Sequence, residues 1–282
     1  MIGQQKILDI IKDFISLDNT SATTMIIQGD RGSGKRTAIK EATKRKKKLL
    51  VYWVEDLKKD TIRDLIADSG KIESPIVYII PNIDDMPKAS MSTLLKLTEE
   101  PPENAKIIMT CENIYNILPT IRSRALTYNM APYTKEELME YYDSEEHWNT
   151  VATVCTTPGD IDILKENGIK EFEDYLTLVF NNICTVSDAN AFKIGNKLAF
   201  KEDSKGFDLR LFFRGFSVMC MVAYISSKED SPIENMYYQW IQLTDRYLQE
   251  MTLNGINKSA LFDCWVLDIR RSSEEYGETH KS

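Results

Sequence analysis

Residues 29–37 read Gly29-Asp30-Arg31-Gly32-Ser33-Gly34-Lys35-Arg36-Thr37, directly after a short apolar run, Thr24–Gln28. The spacing G-x-x-x-x-G-K constrains the chain more than any other stretch. It calls for a strand, a glycine turn and a helix in that order, which is how a parallel α/β sheet begins. Such a turn aims successive backbone N–H groups into one concavity. Together with the helix N-terminus it favours phosphate. Gly29, Gly32, Gly34 and Lys35 carry the pattern. The next position ordinarily holds Ser or Thr as a Mg²⁺ ligand. Here it is Arg36, and a guanidinium has no lone pair to give a cation. Thr37 stands one residue late, about 100° round the helix, within reach of a more internal phosphate at best. A glycine turn that binds nothing fits the same residues.

The partner site is also altered. Ile76–Ile80 is an unbroken β-branched and aromatic run, as expected of a strand buried on both faces of a parallel sheet. In phosphate-loop NTPases the corresponding strand ends in an Asp that holds Mg²⁺. This chain offers Pro81 and Asn82. Asp84 and Asp85 follow; they would need a bulge to reach a metal, and otherwise read as a solvated loop. No Mg²⁺-dependent hydrolysis is expected, and bound ATP is expected only as the occupant of a weak or vestigial site.

Further strands are expected at Leu49–Val54, Lys106–Thr110 and Ala125–Asn129. Helices are expected over Ile2–Leu17, Lys35–Lys48, Thr61–Asp68 and Ala89–Glu99, with a polar linker at Asp18–Thr23. Pro101-Pro102 stops the last helix. Beyond Ala131-Pro132 helical periodicity takes over. Thr134 and Glu137 have the spacing of a capping box. Helices are expected at 135–143, 145–155, 160–166, 170–183, 187–200, 207–226, 233–252 and 257–271, then a polar, frayed tail from Ser272. Phe212, Phe216, Met219 and Ala223 recur at helical steps and read as packed core. Met236–Trp240 reads as core or as an inter-subunit surface, where aromatics are enriched.

Composition narrows the function classes. The 282 residues carry a net charge of −8, which argues against a generic nucleic-acid coat. The charge is uneven: residues 1–130 hold 20 Lys+Arg against 17 Asp+Glu, and residues 131–282 hold 15 against 26. Lys44–Lys48 invites a DNA-binding reading, but a helix C-terminus favours the same cations. Five scattered cysteines and two histidines have no zinc spacing, so no zinc is expected, and the cysteines read as reduced core thiols in a cytosol. The apolar run Leu211–Ile225 is short for a membrane span, and no export signal opens the chain.

Three landmarks then occur in one order. Ile2-Gly3-Gln4-Gln5 opens the chain. Leu94-Leu95-Lys96-Leu97-Thr98-Glu99-Glu100-Pro101-Pro102 ends the fourth expected helix. Ile121-Arg122-Ser123-Arg124-Ala125 precedes the fifth strand. Together they resemble the opening I-G-Q, the L-L-K-x-L-E-E-P-P signature and the S-R-C motif of AAA+ clamp-loader subunits of bacterial DNA polymerase III, most closely the delta-prime type. The match covers about residues 1–165. It is weak beyond, chiefly at Ile256–Leu261.

The resemblance implies a fold and a division of labour. It implies a RecA-like α/β domain (1–131), a small helical lid (132–168) and an all-helical collar (169–282). In such assemblies ATP sits between subunits, one supplying the loop and the next an arginine in trans. The resemblance makes Arg124 that arginine, with Ser123 supporting its turn. Apart from the family match, Arg122 and Arg124 would read as surface ion pairs. Hydrolysing relatives also carry a γ-phosphate arginine after the first lid helices, where this chain has Thr157–Asp162 and its aspartates, which would repel a nucleotide. The implied partners are other clamp-loader ATPase subunits, a sliding clamp and primer-template DNA reached through the assembly, in the cytoplasm of a bacterium, with a phage-borne source compatible and no membrane. A weak, self-sufficient AAA+ ATPase and a clamp-loader mimic that regulates a host complex are the alternatives.

Overall fold

A computed structural model describes residues 2–16, 22–44, 46, 48–54, 56, 58, 64, 74–201, 205–253 and 255–278, with backbone alone at 188–189 and 275–278. The chain forms two compact units, Met1–Glu137 and Leu138–Ser282.

The first unit is a five-stranded parallel sheet. Its strands are β1 (Thr24–Gln28), β2 (Leu50–Trp53), β3 (Ile76–Ile80), β4 (Ala105–Cys111) and β5 (Leu126–Asn129), in the order β2-β3-β4-β1-β5. β3 and β4 are buried throughout, β3 as an unbroken apolar run and β4 with Lys106 donating its ammonium to the Ala22 carbonyl (2.6 Å). Side chains alternate between two cores. Met25, Ile27, Val77, Ile79 and Ile108 pack against α1 (Gln5–Phe14) and α2 (Lys35–Thr43). Ile26, Tyr78, Ile80, Ile107 and Met109 pack with Met91, Leu94 and Leu97 of α3 (Lys88–Glu99).

α2 stops at Thr43, not at Lys48. Lys40, Lys44 and Lys48 would stack like charges at four-residue spacing. The chain instead turns, with Lys46 N–H donating to the Thr43 carbonyl (3.2 Å) and Leu49 N–H to that of Lys46 (3.1 Å). The basic tract is therefore not a helical face, and Arg45 and Lys47 lie outside the described residues. So does the helix expected at 61–68, apart from residue 64, and most of the linker at 18–23.

The N-terminus is tied to the end of β5. The Gln4 side chain donates to the Ala131 carbonyl (2.7 Å) and accepts from its N–H (3.1 Å). The expected capping box opens α5 (Lys135–Tyr142). Glu137 N–H donates to Thr134 Oγ1 (3.2 Å), and Thr134 N–H donates to Glu137 Oε2 (2.9 Å). Thr134→Ala should lower stability by about 1 kcal/mol, read as a shift in the urea midpoint. An unchanged midpoint would mean that the cap is made elsewhere.

The second unit is helical. It holds α6 (Trp148–Val154), α7 (Pro158–Asn167), α8 (Ile169–Asn182), α9 (Asp188–Lys193), α10 (Leu209–Ser226), α11 (Pro232–Glu250) and α12 (Lys258–Glu278). Three expectations need correction. The helix expected at 187–200 gives way to a 3-10 turn, Ile194–Lys197, and a two-residue strand, β6 (Leu198–Ala199), paired in parallel with β7 (Phe207–Asp208). Buried Gly195 lies against the Phe262 ring, where a β-carbon would sit within 2.8 Å of it. The chain does not fray at Ser272. α12 continues to Glu278, and buried Ser272 accepts the Trp240 indole N–H (3.1 Å). Cys184 and Cys264 are exposed; only Cys111, Cys155 and Cys220 are buried.

α10 is the centre of this unit. Leu209, Leu211, Phe212, Phe213, Gly215, Phe216 and Cys220 are buried, and Trp265 meets the Phe216 ring edge-on at 4.9 Å. Met219 and Ala223 are only partly buried, because the C-terminal end of α10 emerges to solvent. Among the described residues it is the one helix long and apolar enough to cross a membrane by length and composition. At 18 residues it exceeds the run read from sequence, yet its apolar N-terminal half is spent on packing. Of the 236–240 aromatics, Trp240 is core and Tyr238 is half exposed.

Candidate nucleotide loop and arginine edge

The glycine loop connects β1 to α2 at the C-terminal edge of the sheet. Gly29 N–H donates to the Cys111 carbonyl (3.1 Å), fixing the loop to the end of β4. A side chain at Gly29 would run into Met130, 2.6 Å from the β-carbon position. Gly34 caps α2 in the left-handed region (φ 89°), where only glycine is free of strain. The Tyr133 hydroxyl donates to the Ser33 carbonyl (2.9 Å). Sequence reasoning missed Tyr133, whose partner lies 100 residues away.

Lys35 is buried, and its ammonium donates to the Gly29 and Asp30 carbonyls, the latter at 2.9 Å. Burial holds its pKa below the ordinary lysine value, while the charges of Glu112, Asp84, Cys111 and Asp30 act the other way. Arg36 lies over the Trp53 ring at 5.3 Å, and the Lys40 ammonium lies over the same ring at 5.7 Å. Thr37 is exposed.

Asp84 departs from expectation. It is not in a solvated loop. Asn82 adopts left-handed geometry (φ 50°) and a 3-10 turn, Ile83–Asp85, follows. This carries Asp84 into the interior, 4% exposed. Its Oδ2 accepts the N–H groups of Glu112 and Asn113, both at 2.8 Å. Burial, with Asp84 the next contribution, pushes the nearby Cys111 thiol up to about 12.

Arg124 sits at the other edge. It follows α4 (Pro119–Arg122) and precedes β5, whose first residue pairs with Met25 of β1. It therefore lies at the N-terminal edge of the sheet, a strand's length, roughly 16 Å, from the loop. Its side chain is 40% exposed. Nη1 donates to the Thr120 carbonyl (2.8 Å), and Nη2 pairs with Glu99 Oε1 at 3.2 Å. Ser123 Oγ donates to the same Thr120 carbonyl (3.1 Å), the backbone bond expected of it. Arg122 diverges, its guanidinium over the Tyr115 ring at 5.7 Å.

The two aspartates at 157–162 differ in environment. Asp160 is fully buried within the second unit, paired with Arg210 (2.7 Å) and Arg214 (2.9 Å). Asp162 accepts the Tyr141 hydroxyl (3.0 Å).

Part of the chain matches known proteins. A family model described as DNA polymerase III, delta subunit, matches residues 39–134. The delta-prime subunit of DNA polymerase III from Buchnera aphidicola subsp. Baizongia pistaciae is 36% identical over 78 residues, 28% of this chain and 23% of that protein. The gamma subunit from subsp. Acyrthosiphon pisum is 25% identical over 172 residues, 50% of this chain and 47% of that protein. The matches thus span about a quarter to a half of these relatives. A crystal structure of a DNA polymerase III gamma subunit-related protein from Thermotoga maritima covers 94% of this chain and 99% of its own, with TM-score 0.54 and 15% identity, a likeness of fold. Over part of its length the chain is similar to the delta-prime and gamma subunits of DNA polymerase III, and its α/β unit is followed in sequence by a helical one.

Proposed function

We propose that this chain is a non-hydrolysing subunit of a DNA-replication clamp loader. It lends Arg124 in trans to the ATP of a neighbouring subunit while a sliding clamp is loaded onto primed DNA in the cytoplasm. Residues 1–131 serve as the RecA-like domain, 132–168 as the lid and 169–282 as the collar that joins the ring. The observation that carries the reading is the opposition of two edges. At the loop, the residue after Lys35 is an arginine stacked on Trp53, where a metal ligand would stand. At the far edge, Arg124 is exposed with donors to spare, whereas Arg122 is stacked on Tyr115. A nucleotide, if the loop takes one, is held by Gly29, Gly32, Gly34, Lys35 and Thr37 without turnover.

A weak, self-sufficient ATPase has one observation in its favour. Asp84 is buried close enough to Lys35 to bear on its protonation. Its Oδ2, however, already accepts two backbone N–H groups. Co-purifying the chain with its partner subunits and assaying ATPase with and without Arg124→Ala tests the proposal. Strong Mg²⁺-dependent turnover by the isolated chain would overturn it.

A further inference from the structure

We infer that Glu99 is the positioning residue for Arg124, holding the guanidinium ready before any phosphate arrives. This rests on the trans-arginine reading. Glu99 is the last residue of α3. A carboxylate there opposes the helix dipole, so helix chemistry alone gives no reason for it. Its neighbour across the edge supplies one: Arg124 Nη2 lies 3.2 Å from Glu99 Oε1, while Nη1 is held by the Thr120 carbonyl at 2.8 Å.

The two contacts come from two elements, the end of α3 and the turn at α4, and fix the fork from both sides. The pair is 40% and 48% exposed, so it adds little to stability. What it does is select one orientation of a long side chain, which lowers the ordering cost on engagement. A guanidinium has five N–H donors. Two are held by the protein, and three remain to meet phosphate oxygens. Glu99 therefore steadies Arg124 without exhausting it. Arg122, committed to Tyr115, has no such support.

The test uses the assembly purified with its partner ATPase subunits. Glu99→Ala lowers kcat for ATP hydrolysis by about 10-fold, inside the roughly 10²-fold that a 1 Å misplacement costs. It leaves KM for ATP unchanged. Glu99→Gln keeps an acceptor oxygen and retains most of kcat. In an Arg124→Ala background, Glu99→Ala causes no further loss. The melting temperature of the isolated chain stays the same in all variants. A kcat at or above wild type in Glu99→Ala, an additive loss in the double variant, or a lowered melting temperature overturns the inference and leaves the arginine's role standing. If Arg124→Ala itself leaves hydrolysis intact, both fall together.

Discussion

On the proposed role, Arg124→Ala in the assembled complex is expected to lower ATP hydrolysis by about 10³-fold, the lower end of what an arginine supplied in trans contributes. That corresponds to about 4 kcal/mol of transition-state stabilisation. The magnitude follows from where the charge acts. Negative charge spreads over the equatorial oxygens of the transferred phosphoryl group, and a planar fork engages two of them at once. Arg124→Lys keeps the charge, loses the fork and recovers only a small part of the rate. Stability gives the control. Arg124 is 40% exposed and its ion pair with Glu99 faces solvent, so the isolated variant should unfold within about 1 kcal/mol of the parent. A rate loss with unchanged folding marks a chemical role. An assembly that keeps its full rate with alanine at 124 removes the role.

The two edges of the sheet were unequally legible in the sequence. β3 could be read because an unbroken β-branched and aromatic run has one stable use, burial on both faces of a parallel sheet. The capping box at Thr134 and Glu137 could be read because its bonds span three residues. Arg36 could be ruled out as a metal ligand from its chemistry, but its stack on Trp53 is a contact between distant segments. Asp84 was misjudged because its burial depends on one left-handed residue, Asn82, which no pattern announces. The β6–β7 ladder was missed because two-residue strands have no periodicity to detect. Glu99 lay inside the most recognisable motif of the chain, yet its partner Arg124 emerges only when α3 and α4 end on the same edge.

Asp160 was the furthest from its sequence reading, and its replacement has the largest expected effect on folding. Asp160→Ala should destabilise the helical unit by about 3–5 kcal/mol. The carboxylate is fully buried and accepts four hydrogen bonds: from Arg210 (2.7 Å), Arg214 (2.9 Å), Thr156 N–H (3.0 Å) and Thr156 Oγ1 (3.2 Å). That matches its lone-pair capacity. Removing it leaves two guanidiniums, 17% and 20% exposed, with little water: Arg210 keeps only the longer pair to Asp208 (3.7 Å) and Arg214 only the Val154 carbonyl (3.5 Å). Breaking one member of such a set costs more than the set itself contributes, because the desolvation is not refunded. Replacing all three charges together, Asp160→Leu with Arg210→Met and Arg214→Met, should therefore recover most of the loss. Urea unfolding followed by tryptophan emission suits the measurement, since Trp148, Trp240 and Trp265 belong to this unit and Trp53 alone to the other. A loss below about 1 kcal/mol for Asp160→Ala would mean that the arginines find water or other acceptors. A triple variant no more stable than the single one would show that the ion set contributes more to this unit than apolar packing of the same volume.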